Sequence, residues 1–89
     1  MTVSEAIKII EIGNTLELLR VDTELCADMH RLDLIAEIIG VVTGDMTGAI
    51  LDPGTDPHFR EHLEELFQVA ISLSMMARSR AEIARCLKN

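Results

Sequence analysis

Glycine costs a helix interior about 1 kcal/mol against alanine. Yet Gly40, Gly44 and Gly48 stand at four-residue steps inside the most apolar stretch of this chain, Leu34 to Leu51. Their neighbours Ile35, Ile38, Ile39, Val41, Val42, Met46 and Ile50 favour burial, and a Gly-x-x-Thr unit occurs twice, at Gly40 to Thr43 and at Gly44 to Thr47. Four residues is close to one helical turn, so a helix aligns the three glycines into a strip without side chains. At about 100° per residue, Leu32, Ile35, Ile39, Val42, Met46 and Ile50 gather on one side. The glycines fall nearly opposite, flanked by Asp33, Glu37, Thr47 and Leu51. Three readings follow. The helix breaks over Thr43 to Gly48, or it continues and uses the strip as a second contact surface, or it is an exposed helix that the glycines merely weaken.

The chain has 89 residues, enough for one domain that buries a little over half of the surface its unfolded form exposes. Hydrophobic residues make up 48% of it, nearly all aliphatic, with Phe59 and Phe67 as the only aromatics. So much apolar surface on so short a chain implies self-association or a protein partner. The net charge of −7 argues against duplex DNA or RNA, whose binding relies on cations that neutralise phosphates. The charge is uneven: from residue 78 onward Arg78, Arg80, Arg85 and Lys88 face Glu82 alone, a local +3 that leaves −10 elsewhere. Those cations either complement the end of a helix dipole or catch a small anion. Cys26 and Cys86 are too few for a disulfide framework, and the N-terminus lacks the basic and apolar regions of a signal peptide. Because Glu37 and Asp45 interrupt the apolar runs, no membrane span is expected, and a reduced, cytoplasmic setting is.

Four helical segments are expected. Thr2-Val3-Ser4-Glu5 has capping-box spacing and opens a short helix over about residues 3–12, which Gly13-Asn14 would stop, with Thr15 capping the next. From there Leu18, Leu25, Met29, Leu32, Ala36 and Ile39 keep to a heptad seam, interrupted by Asp22, on a helix over 15–50. Glu17, Arg20, Glu24, Asp28 and Arg31 form its solvated face, and His30 reads as structural or exposed. Asp52 to Pro57 is a loop whose end, Asp56-Pro57, caps a third helix over 56–77 with Phe59, Leu63, Leu66, Ala70, Leu73 and Ala77 on its seam. Ser79-Arg80-Ala81-Glu82 is a second capping box and predicts a kink or restart, with a last helix over 79–88.

His58-Phe59-Arg60-Glu61-His62 matches H-x-x-E-H, in which two histidines one turn apart hold zinc. A catalytic zinc needs a third protein ligand, for which Glu65 is only a weak candidate, so no metal cofactor is expected, and a metal-binding protein built on His58, His62 and Glu65 stands third among the functional readings. No nucleophile has a base beside it in sequence, and residues 40–48 lack both the G-x-G-x-x-G pattern and a terminal Gly-Lys-Ser/Thr. The fold expected is all-α: a long antiparallel helical hairpin with a short N-terminal helix, assembled into an oligomeric helical bundle. The function expected is non-enzymatic, with a partner protein bound as an adaptor, inhibitor, immunity factor or chaperone would bind it. The alternative is an oligomer holding a small anion such as a nucleotide between subunits. Gly40, Thr43, Gly44, Thr47 and Gly48 would then approach a ligand that Arg78, Arg80 or Arg85 neutralises.

Overall fold

The computed structural model describes residues 1–88, and side chains through residue 87. It is all-helical, with α1 over Val3–Leu25, α2 over Met29–Leu51 and α3 over Pro57–Lys88, and no strand among the described residues. The capping box forms as expected: the Glu5 amide donates to Thr2 Oγ1 at 3.1 Å, and the Thr2 amide donates to Glu5 Oε1 at 2.8 Å.

The N-terminal helix is not short. It passes through Gly13 and Asn14 without stopping, no glycine among the described residues has a positive φ, and the Thr15 hydroxyl donates to Glu11 O at 2.9 Å from within the helix. Gly13 faces α3, where a Cβ at that position would lie 3.9 Å from Leu66 Cδ2. Contact between helices therefore overrides the local stop signal. The single helix expected over 15–50 is instead two, divided at Cys26-Ala27-Asp28. The Cys26 amide donates to Asp22 O at 2.9 Å, and Asp28 caps α2 by accepting from the His30 amide at 3.2 Å.

No break occurs between Thr43 and Gly48, because α2 is anchored ahead of the glycines by buried Leu32, Ile35, Ala36 and Ile39 and among them by buried Met46. Nor does α3 restart near Ser79. Ala77 and Ala81 are both buried one turn apart, so the same packed stripe carries the helix past the second capping box. The expected cap of α3 forms, with the Phe59 amide donating to Asp56 Oδ2 at 3.0 Å and Pro57 as the first helical residue.

Contacts at the ends set the directions. Arg60 near the start of α3 reaches Ile50 O, while Arg85 near its end reaches Asp33, so α2 runs antiparallel to α3. The Met1 ammonium lies 3.6 Å from Asp56, Gly13 lies beside Leu66, and Arg80 reaches Cys26 O, so α1 runs parallel to α3. The result is an elongated body of 50 × 20 × 15 Å. Its continuous core joins Ile35, Ile39 and Met46 of α2 to Phe59, Leu63, Ala70 and Leu73 of α3, and α1 adds Leu16 as its one fully buried member. α1 is thus docked on a core that the other two helices build.

Two substitutions should move stability in opposite directions. Leu63→Ala empties a buried site at 1% exposure and is expected to cost about 2–5 kcal/mol in urea unfolding. Gly44→Ala places a Cβ in open space and is expected to gain about 1 kcal/mol. The Asp56 carboxyl is held below its ordinary pKa of 3.8, first by the Phe59 amide and also by the N-terminal charge, against an opposing desolvation effect. Its contribution is therefore complete above 3.8 and lost as pH falls through the lower folded value. The difference in melting temperature between the parent chain and Asp56→Asn should accordingly be constant near neutrality and shrink under acid.

Candidate interaction surface

α2 is apolar around most of its circumference, but its neighbours cover only one side. Opposite the core it presents Leu34, Ile38, Val41 and Leu51, of which Val41 is 67% and Leu51 75% exposed. Gly40, Gly44 and Gly48 run alongside these residues, and a Cβ at any of the three would meet no atom within 4 Å. The glycine strip therefore faces outward and plays no part in packing between the helices of one chain. Thr43 and Thr47 border it, but their hydroxyls donate to Gly40 O at 2.9 Å and Thr43 O at 2.8 Å. Their protons serve the helix backbone, as threonine often does mid-helix.

Glu37 and Asp45 lie with Asp33 on this outer face. They do not exclude a membrane span as their positions in the sequence suggested. By length and composition α2 is long and apolar enough to cross a bilayer, with only 22% of its most apolar window buried. The same property belongs to a helix awaiting a protein neighbour.

Of the arginines near the end of α3, Arg80 and Arg85 are occupied. Arg80 Nη2 donates to Cys26 O at 3.1 Å, closing the C-terminal end of α1, while its Nε is buried without a partner. Arg85 pairs with Glu82 and with Asp33, the latter at 3.3 Å. Arg78 has no ion pair among the described side chains, and it lines an open recess of about 380 Å³ with Arg85, Asp33, Glu37 and Glu82. Three carboxylates against two guanidiniums make that recess a poor anion trap. Gly48 lies three turns along α2 from Glu37, so one chain does not bring the whole set of Gly40, Thr43, Gly44, Thr47, Gly48, Arg78, Arg80 and Arg85 together.

His58 and His62 are exposed on the first turns of α3 with Glu65 beyond them. Among the described residues no group of three or more His, Cys, Asp or Glu side chains is placed to share a metal ion. The informative residue of that motif is Arg60, which sequence spacing hid. Its Nε donates to Ile50 O at 3.1 Å and its Nη2 to Asp52 O at 2.8 Å, while the Thr55 hydroxyl donates to Ala49 O at 2.6 Å. Together they satisfy carbonyls that the end of α2 leaves unpaired. Cys26 and Cys86 are both free thiols.

The chain has no significant match to any protein-family model, curated protein or solved structure. The functional reading therefore rests on the surface itself.

Arg60 should act as a fork. Arg60→Ala is expected to lower unfolding free energy by about 1–3 kcal/mol through the unpaired carbonyls. Arg60→Lys should recover only part of the loss, because an ammonium cannot span two acceptors in the guanidinium geometry. Chemical denaturation of the three proteins measures both effects.

Proposed function

We propose that this chain is a non-enzymatic interaction protein that self-associates and binds a partner protein through helical faces, as an adaptor, inhibitor, immunity factor or chaperone would. The observation that carries this reading is the outer face of α2. Soluble monomers seldom leave a contiguous apolar face of this kind uncovered. A helix apolar around most of its circumference is ordinarily enclosed. The glycines let a second backbone approach closely, and each is otherwise a cost of about 1 kcal/mol. In this reading the antiparallel pair of α2 and α3 is the unit that assembles into an oligomeric bundle, with α1 completing it. A protein surface fits this face better than lipid does, because a carboxylate at the centre of a bilayer costs about 2.5–3.5 kcal/mol or more, and α2 carries three, Asp33, Glu37 and Asp45. The two free thiols suit a reducing, cytoplasmic setting.

The alternative, an oligomer holding a small anion such as a nucleotide between subunits, draws on Arg78, which has no ion pair of its own among the described side chains. It draws on a neighbour's strip, since Gly48 of the same chain lies three turns along α2 from Glu37 beside that arginine. A thermal-shift panel separates the two readings: a ligand that binds only the folded state raises the melting temperature, and a rise with nucleotides would favour this alternative.

The leading reading is tested with Val41→Glu, which alters an exposed position and should preserve the helical circular-dichroism signal. The parent protein is expected to exceed monomer mass in light scattering or to bind an apolar dye, and Val41→Glu to lose most of its dye binding or to fall to a smaller assembly. A parent protein that is monomeric and silent to dye, or one that floats with neutral lipid vesicles, overturns the reading.

A further inference from the structure

A second uncovered apolar face runs the length of α1, and its spacing is regular. Val3, Ile7, Ile10, Leu18, Val21 and Leu25 are all exposed, from 39% at Val21 to 81% at Leu25, and Asn14 is exposed among them. At about 100° per residue these seven positions fall within roughly 80° of one another. The centre of that arc lies opposite the side on which Ile9, Ile12, Leu16 and Leu19 meet the core. Steps of four, three and four residues repeat twice, an 11-residue period of 3.67 residues per turn that keeps a stripe nearly straight along a helix. The stripe is also symmetric about its polar member. Val3 and Leu25, Ile7 and Val21, and Ile10 and Leu18 are each equidistant from Asn14.

We infer that α1 is a self-pairing helix, and that the occupant of its outer face is α1 of a second copy, packed antiparallel about a two-fold axis through Asn14. The inference rests on the oligomeric reading above but uses a different helix. Antiparallel pairing sets Val3 against Leu25, Ile7 against Val21 and Ile10 against Leu18 of the other chain, so every large apolar residue meets another. It brings the two Asn14 side chains face to face. A carboxamide both donates and accepts, so it can bond to its own symmetry copy, and one such polar residue in an apolar seam sets register.

Charge complements the same arrangement. Ser4, Lys8, Glu11, Thr15 and Asp22 share one flank of the stripe, and in an antiparallel two-fold pair each flank meets its own copy. Lys8, which has no ion pair among the described residues, then comes within one turn of the level of Asp22 on the other chain. Asp22 is paired with Arg31 at 2.9 Å but keeps a 34% exposed side chain, so it can accept a second cation. Parallel pairing brings the two opposite flanks together instead, setting Asp22 near Glu24 of the other copy and leaving Lys8 beside Ala6. Antiparallel pairing also opposes the two helix dipoles.

Cross-linking tests both the pairing and its direction. In a Cys26→Ser, Cys86→Ser background, Val3→Cys and Leu25→Cys are prepared separately, one carrying a mass tag, with helical content checked by circular dichroism. Under mild oxidation each protein alone should remain uncross-linked, because its thiols lie at opposite ends of a seam about 35 Å long. An equimolar mixture should yield the mixed disulfide dimer. Adding Asn14→Ile to both should permit parallel pairing as well, so that cross-links appear in the separate proteins too. Efficient cross-linking of each variant with itself while Asn14 is retained overturns the antiparallel arrangement. If no cross-link forms while sedimentation shows an oligomer, the α1 seam is wrong and self-association proceeds through another face. A monomer at every concentration overturns the seam and the oligomeric reading together.

Discussion

Three helices packed around one thin core can each bury one stripe, and this chain carries more apolar stripes than that. The consequence begins at the contact of α2 with α3, where Ile35, Ile39 and Met46 meet Leu63, Ala70 and Leu73. That contact leaves one side of α2 uncovered, and α1, which touches α3 more than α2, leaves its outer face uncovered as well. Enlarging the core would need more chain. The proposed association is a way for a domain of this size to hide that apolar area.

Ion pairs and caps decide how the helices are joined. Arg31 ties α2 back to Asp22 of α1, Arg80 closes the end of α1, and Arg60 with Thr55 closes the end of α2. Two of the three arginines address backbone carbonyls at helix C-termini, where cations are also favoured by the dipole. Of the terminal arginines, Arg80 is held at the turn after α1 and Arg85 by Asp33 and Glu82, which leaves Arg78 without an ion pair among the described side chains.

The signals that could be read from sequence were those whose partners are local. The Thr2 and Glu5 box and the Asp56-Pro57 start depend on residues three or fewer positions apart, and both form. The signals that misled were local too, but a distant contact outweighed them. Gly13-Asn14 has the composition of a helix end, yet Leu66 lies across from Gly13 and the helix continues. Asp28 was hidden as a cap because it also fits the three- and four-residue charge spacing of Glu24 and Arg31. The stripe on α1 was illegible for the same reason: dividing the helix at Gly13 cuts its period in the middle and makes Asn14 look like a turn residue rather than the centre of symmetry. On α2, by contrast, the helical wheel placed the glycines opposite the core, and the open space around each one agrees.

The two uncovered faces have different shapes, and the difference bears on what each can hold. α1 offers branched and long side chains with one amide among them, a surface that interlocks best with knobs of the same kind. α2 offers a shallow channel of glycine beside Leu34, Val41 and Leu51, into which bulky side chains or a whole helix could settle closely. An isolated chain would be more stable with alanine at Gly40, Gly44 and Gly48, by about 3 kcal/mol in sum. That is a large fraction of the 5–15 kcal/mol that holds a typical domain together. Among the described residues nothing occupies the space those glycines leave, and in the proposed reading the compensation comes from a second molecule. Pairing through α1 uses a different helix and does not draw on the glycine channel, so a self-associated form retains an α2 face on each protomer for a second, different contact.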